Sequence, residues 1–214
     1  MNILIGDIGN TLTKICLVDI KTLKQKKVFF FNSKNLLLKN FIVQNFKKFV
    51  KNKSINKFSL FSSVVPKYES ILKKGLNRLY KTNLIEINHR KINKIVKINI
   101  KNKNEVGSDR IANAVGAYKK YKKNCIILDF GTATTFDIIT RNGSYNGGVI
   151  APGVNHSIKS LFINADQIPL FKLKKPQKVV GENTIEALCS GFYWGYSGLI
   201  NNIILKIEKE TKKK

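Results

Sequence analysis

With 214 residues, 43% of them hydrophobic, the chain is long enough to bury a core and to divide into two compact lobes, which excludes a disordered chain. It has no apolar run near the ~20 residues that span a bilayer, and its N-terminus enters a strand pattern without a leader sequence, so a cytoplasmic protein with no membrane partner is expected. The formal charge of +26 is almost all Lys spread along the whole chain, as a strong codon bias produces; it predicts weak attraction to polyanions and no specific nucleic-acid partner.

The first elements read as a hairpin: a strand over Asn2 to Gly6, a turn near Gly9 and Asn10, and a returning strand over Thr13 to Asp19. A third strand is expected over Lys27 to Asn32, then a helix over Leu36 to Lys51 carrying Phe41, Phe46 and Phe49 at helical spacing. Phe58 to Val65 reads as a strand ending in a Ser-Ser pair, and Pro66 opens a helix through about Lys81. Strand, helix, strand is an α/β pattern. Ile85 to Lys103 is expected to hold a short strand and an irregular segment, before a helix that Ser108 or Asp109 caps.

The second half repeats the opening plan, with a strand over Cys125 to Asp129, a turn, a strand over Thr135 to Thr140 and a turn at Asn142-Gly143. A helix suits Asn183 to Ser190, and the helical spacing of Gly191, Gly195 and Gly198 would let a neighbouring helix or a ligand approach. Trp194 and Tyr196 read as buried packing aromatics, and Lys209 to Lys214 as a frayed end. Cys16, Cys125 and Cys189 have no metal or disulfide spacing and read as core thiols, while His89 and His156 stand alone.

The chemistry concentrates in two stretches of one design. Asp7-Ile8-Gly9-Asn10-Thr11 follows Ile3-Leu4-Ile5, and Asp129-Phe130-Gly131-Thr132 follows Ile126-Ile127-Leu128. Glycine lets the backbone approach a phosphate, and Thr hydroxyls and backbone N–H groups donate to its oxygens. A carboxylate repels a bare triphosphate, so the two acids make sense if a cation lies between them and the nucleotide. A hairpin turn alone accounts for either copy taken singly; the recurrence points to phosphate.

Four ordered motifs carry a resemblance: Asp7-x-Gly-Asn-Thr11, Gly107-x-Asp-Arg110, Asp129-x-Gly-Thr-Ala-Thr-Thr135 and Gly181-x-Asn-Thr184. Over nearly its whole length the chain resembles type III pantothenate kinases, members of the actin-like, sugar-kinase and Hsp70 superfamily. The resemblance implies an α/β fold of two duplicated actin-like (ribonuclease H-like) lobes, residues 1–116 and 117–214, the second shortened at its C-terminus. It also implies ATP-dependent phosphorylation of pantothenate to 4'-phosphopantothenate, the first step of coenzyme A biosynthesis, with Mg2+, a monovalent cation (K+ or NH4+) and a homodimer.

Carried over by position, the resemblance assigns ATP to Asp7, Ile8, Gly9, Asn10, Thr11, Leu12, Thr13, Lys14 and Thr132. It assigns magnesium to Asp7, directly or through water, and the monovalent cation to Asp129. Pantothenate falls to Gly107, Ser108, Asp109, Arg110 and Thr184, with Asp109 as the proton acceptor. The chain departs from the family pattern at Ile100, where relatives commonly carry Tyr, and at Lys103, where the Pro of an Asn-Pro pair commonly follows Asn102. The alternative reading is a non-enzymatic transcriptional accessory or nucleic-acid-binding protein of the same fold.

Overall fold

The computed structural model describes residues 1–51, 53–165 and 167–211. The chain forms two compact units, the first comprising Met1–Cys125 with Ile139–Asn146, the second Ile126–Ile138 with the chain from Gly147 on.

The first unit is built on a five-stranded sheet of order β3-β2-β1-β4-β5. Strands β1 (Asn2–Ile8), β2 (Leu12–Asp19) and β3 (Gln25–Asn32) form an antiparallel meander, while β4 (Phe58–Ser63) lies parallel to β1 and β5 (Asn83–Glu86) parallel to β4. The switch to parallel pairing follows from the helical crossovers, because parallel neighbours need a long connection. Helices α1 (Phe41–Val50) and α2 (Pro66–Tyr80) supply them. Their apolar stripes, Ile42, Phe46 and Val50 in α1 and Leu72 and Leu76 in α2, pack with Leu4, Ile8, Ile15, Leu17, Phe31 and Phe61 of the sheet. α2 starts where Pro66 pre-sets φ, after an extended Val65, and stops at Lys81 in the left-handed region with φ 53°.

The helix expected over residues 36–51 is broken in two. A 3-10 turn occupies Ser33–Leu37, and α1 begins only after Asn40, which sits in the left-handed region at φ 66°. The reason lies far along the chain: Ser33 is bonded to the first hairpin, its N–H to Thr11 O at 2.9 Å and its Oγ to Gly9 O at 2.7 Å, which pins this segment outside the helix. Further on come the short α3 (His89–Ile92), the two-residue β6 (Lys97–Ile98) and α4 (Ser108–Tyr121). The His89 side chain lies outside the described residues.

The second sheet has the order β6-β9-β8-β7, with β7 (Cys125–Phe130), β8 (Ala133–Ile139) and β9 (Ser144–Pro152). Its hairpin tip turns at Gly143, where φ is 73°, and Ser144 and Tyr145 pair with Lys97 and Ile98. In the second unit Phe136 and Ala151 pack with Ile207 of the long helix α6 (Thr184–Thr211), and Leu199, Ile200, Ile203 and Ile204 extend the contact. A helix the sequence pattern did not disclose, α5 (Val154–Asn164), follows β9.

The fold is thus α/β with two sheets, each reached through the same strand, tight turn, strand opening. Trp194 is 45% exposed, contrary to the packing expectation, because it projects from a side of α6 that the core contact does not cover. No described helix is long and apolar enough to cross a membrane. Lys209 to Thr211 continue α6 instead of fraying, and Lys212–Lys214 lie outside the described residues. Of the three thiols, Cys189 is buried and Cys16 and Cys125 are half-buried, all of them free.

Candidate active site

The first hairpin turns through Gly9-Asn10-Thr11, closed by Gly9 N–H donating to Leu12 O at 3.1 Å. Ser33 braces it from outside. Since the Ser33 hydroxyl gives its proton to Gly9 O, Thr13 Oγ1 is the donor in the 2.8 Å bond to Ser33 Oγ. Thr13 and Ile8 are fully buried, so their side chains serve the turn and the core. Asn10, Thr11, Leu12 and Lys14 are exposed, and Lys14 Nζ lies 5.5 Å from the Phe30 ring centroid.

Asp7 is exposed at the end of β1, with Lys14 opposite it on β2 and Ser62 opposite it on β4. The Ser62 hydroxyl donates to Asp7 Oδ1 at 2.6 Å. The next residue, Ser63, meets the second motif: its N–H donates to Ser108 Oγ at 2.7 Å, and Ser108 Oγ donates back to Ser63 O at 2.9 Å. Ser108 therefore does not cap α4, and neither does Asp109; Gly107 is the N-cap residue and supplies no side-chain bond. The hydroxyl expected to satisfy a helix end is held by a strand end instead.

Asp109 stands half-buried in the first turn of α4, its Oδ1 accepting from Arg110 N–H at 2.8 Å. Its carboxylate rests against Gly107, where an added Cβ would come 2.5 Å from Oδ1. The helix N-terminus favours the negative charge. The Arg110 guanidinium lies 6.0 Å from the centroid of the buried Tyr145 ring. In the first unit, then, the residues Asp7–Lys14 and Gly107–Arg110 share one anchor, the Ser62-Ser63 end of β4.

The second group lies in the second unit. Asp129 is exposed near the end of β7, and the turn that follows is closed by Gly131 N–H donating to Ala133 O at 2.9 Å. Thr132 is exposed, and its carbonyl accepts from Gly153 N–H at 3.1 Å. Thr184, also exposed, is the first residue of α6 and lines an open groove of about 740 Å3 with Gly181, Leu188, Phe192 and Tyr196. At that helix start Asn183 Oδ1 accepts from Glu186 N–H at 3.0 Å, and Glu186 Oε2 accepts from Glu182 N–H at 3.0 Å. The Glu182 N–H bond, with the Asn183 side chain after it, holds the Glu186 carboxyl below its ordinary pKa.

Among the described residues no group of three or more His, Cys, Asp or Glu side chains is gathered to hold a metal. A cation at Asp7 or Asp129 would meet fewer than three such side chains and draw its remaining oxygens from water and phosphate. That donor set suits Mg2+, which dehydrates reluctantly, and hard monovalent ions.

A five-stranded sheet of this order, with a tight glycine turn at the end of its first strand, places the chain among actin-like α/β proteins. Residues 3–206 match the family model for type III pantothenate kinase. The type III pantothenate kinase of Pelagibacter ubique is 49% identical over 213 residues, covering 98% of this chain and 83% of its own. That of a Sulfurihydrogenibium species is 39% identical over 214 residues, covering 98% and 84%. A solved structure from Campylobacter jejuni, described as a conserved putative Baf family transcriptional activator, matches with a TM-score of 0.55 at 21% identity, covering 94% of this chain and 79% of that one; it shows the fold alone. The chain belongs to the type III pantothenate kinase family.

Sequence reasoning placed the motif residues but missed Ser33, Ser62 and Ser63, which hold them. The Ser-Ser pair was visible at the strand end; that it pairs with residues 55 and 45 positions away was not.

Proposed function

We infer that the protein is an ATP-dependent pantothenate kinase, forming 4'-phosphopantothenate in the first step of coenzyme A biosynthesis. The observation that carries this reading is the family match over residues 3–206, which takes in all four motifs. The non-enzymatic alternative is not favoured by it.

The residue roles are our proposal. The Asp7–Lys14 turn takes the ATP phosphates through backbone N–H groups and the exposed Asn10 and Thr11, and Thr132 adds a further phosphate contact. Asp7 holds Mg2+, directly or through water, and Asp129 the monovalent cation. When bound, these ions neutralise the charge spread over the phosphate oxygens. The lobes are drawn at residues 1–116 and 117–214, and the enzyme acts in the cytoplasm as a homodimer.

Gly107 to Arg110 and Thr184 take pantothenate, Arg110 pairing with its carboxylate. Asp109 accepts the hydroxyl proton as that oxygen approaches the γ-phosphorus in line. A loose transition state asks little base strength of it, so a side-chain carboxylate is adequate. Geometry supports this role: the half-buried carboxylate is held within the first turn of α4 by Arg110 N–H.

Purified protein given ATP, Mg2+, K+ and pantothenate is expected to form phosphopantothenate, and Asp109→Asn to lower kcat by about 100- to 10,000-fold with the fold intact. ATP hydrolysis independent of pantothenate would instead point to a nucleotide hydrolase.

A further inference from the structure

Two successive residues at the end of β4 reach two different parts of the proposed site. Ser62 Oγ bonds Asp7 Oδ1 at 2.6 Å, and the Ser63 backbone clasps Ser108 Oγ at 2.7 and 2.9 Å. Ser62 is 4% exposed and Ser108 6%, so water has little access to replace either bond. A buried hydroxyl needs a partner, and Ser62 finds it in the carboxylate of an exposed residue. The length falls in the range of strong hydroxyl–carboxylate bonds. It ties one oxygen of the Asp7 side chain to the neighbouring strand end.

We propose that Ser62 is a positioning residue of phosphoryl transfer: its hydroxyl holds the Asp7 carboxylate in the orientation that receives the cation of the bound nucleotide. The adjoining Ser63–Ser108 clasp sets the acceptor motif from the same strand end, so one rigid element fixes both. This rests on the pantothenate kinase reading above. Hydrogen-bond partners of metal-binding carboxylates typically control metal affinity or activity by about 10- to 100-fold.

The test compares the parent with Ser62→Ala, Ser62→Thr and Ser108→Ala. Thermal stabilisation by ATP is measured with Mg2+ and with EDTA, and turnover is titrated with Mg2+ and with pantothenate. Ser62→Ala should raise the Mg2+ concentration for half-maximal turnover by about 10- to 100-fold and shrink the Mg2+-dependent thermal shift, with the pantothenate KM unchanged. Ser62→Thr, which keeps the hydroxyl, should restore both. Ser108→Ala should act on kcat and the pantothenate KM and leave the nucleotide shift alone.

A Ser62→Ala protein with the parent's Mg2+ requirement and MgATP shift overturns the proposal, whether or not its own melting temperature falls. The thermal shift needs no acceptor. A parent that binds MgATP without phosphorylating pantothenate would therefore refute the functional reading and leave the Ser62 comparison standing; a folded parent with no MgATP shift overturns both.

Discussion

Gly107→Ala should separate activity from stability. A Cβ at this position lies 2.5 Å from Asp109 Oδ1, about 0.9 Å short of ordinary van der Waals contact at 3.4 Å, while its other neighbours, Asp109 Cγ at 3.6 Å and Val64 Cγ1 at 3.8 Å, are comfortable. The backbone accepts alanine, with φ −57° and ψ 144°. The Asp109 carboxylate therefore yields and the fold does not. The gain from stiffening the unfolded chain and the loss of a better N-cap residue roughly offset each other, so stability should change by less than about 1 kcal/mol. Displacing a reacting group by about 1 Å costs on the order of 100-fold in rate, equivalent to ~2.7 kcal/mol of barrier. Steady-state kinetics with pantothenate and a denaturant melt of the same preparations decide it. A kcat equal to the parent's would refute the placement of Asp109 at the reacting oxygen, and so would a rate loss that tracks unfolding.

Gly181→Ala should destabilise the second unit by about 1–3 kcal/mol, because its Cβ would strike backbone atoms of α6, among them Glu186 C at 2.6 Å; urea unfolding measures this. Among the described residues Tyr80 Oη is buried without a hydrogen-bond partner, and burial raises the Tyr80 pKa, so Tyr80→Phe should be neutral or stabilising by up to ~1–3 kcal/mol in the same assay. Glu186 has a folded pKa below its ordinary 4.5 owing to Glu182 N–H and Asn183, so it stabilises the fold above that value and the contribution is lost as pH falls through the folded pKa. Thermal melts of the parent and Glu186→Gln should accordingly differ near neutrality and converge in acid; a gap that persists in acid would contradict the assignment.

The local signals in the sequence located most of the framework. The apolar run Ile3-Leu4-Ile5 marked β1, the returning strand after the Gly9-Asn10 turn marked β2, and Pro66 marked the start of α2. What escaped depends on contacts distant in the chain. Helical spacing ran unbroken through Leu36 to Lys51, yet Ser33 is tied to Gly9, 24 residues earlier, and the helix waits until Phe41. Ser108 has the chemistry of a cap, but Ser63 claims its hydroxyl. Trp194 is apolar and sits at helical spacing, and nothing local reveals that its side of α6 lies outside the core contact. The proposed site followed the same division: the motifs around Asp7 and Asp109 stand out as short patterns, whereas the bonds of Ser62 to Asp7 and of Ser63 to Ser108 become visible only once β1, β4 and α4 are brought together.

The most direct measurement of the central claim is product formation from ATP and pantothenate, with Mg2+ and K+ present, by the parent and by Asp109→Asn. The account predicts equal amounts of ADP and phosphopantothenate from the parent, and a folded Asp109→Asn protein that still binds ATP but turns over about 100- to 10,000-fold more slowly. No phosphopantothenate from a folded, ATP-binding parent would contradict the function. Undiminished turnover by Asp109→Asn would contradict the mechanism.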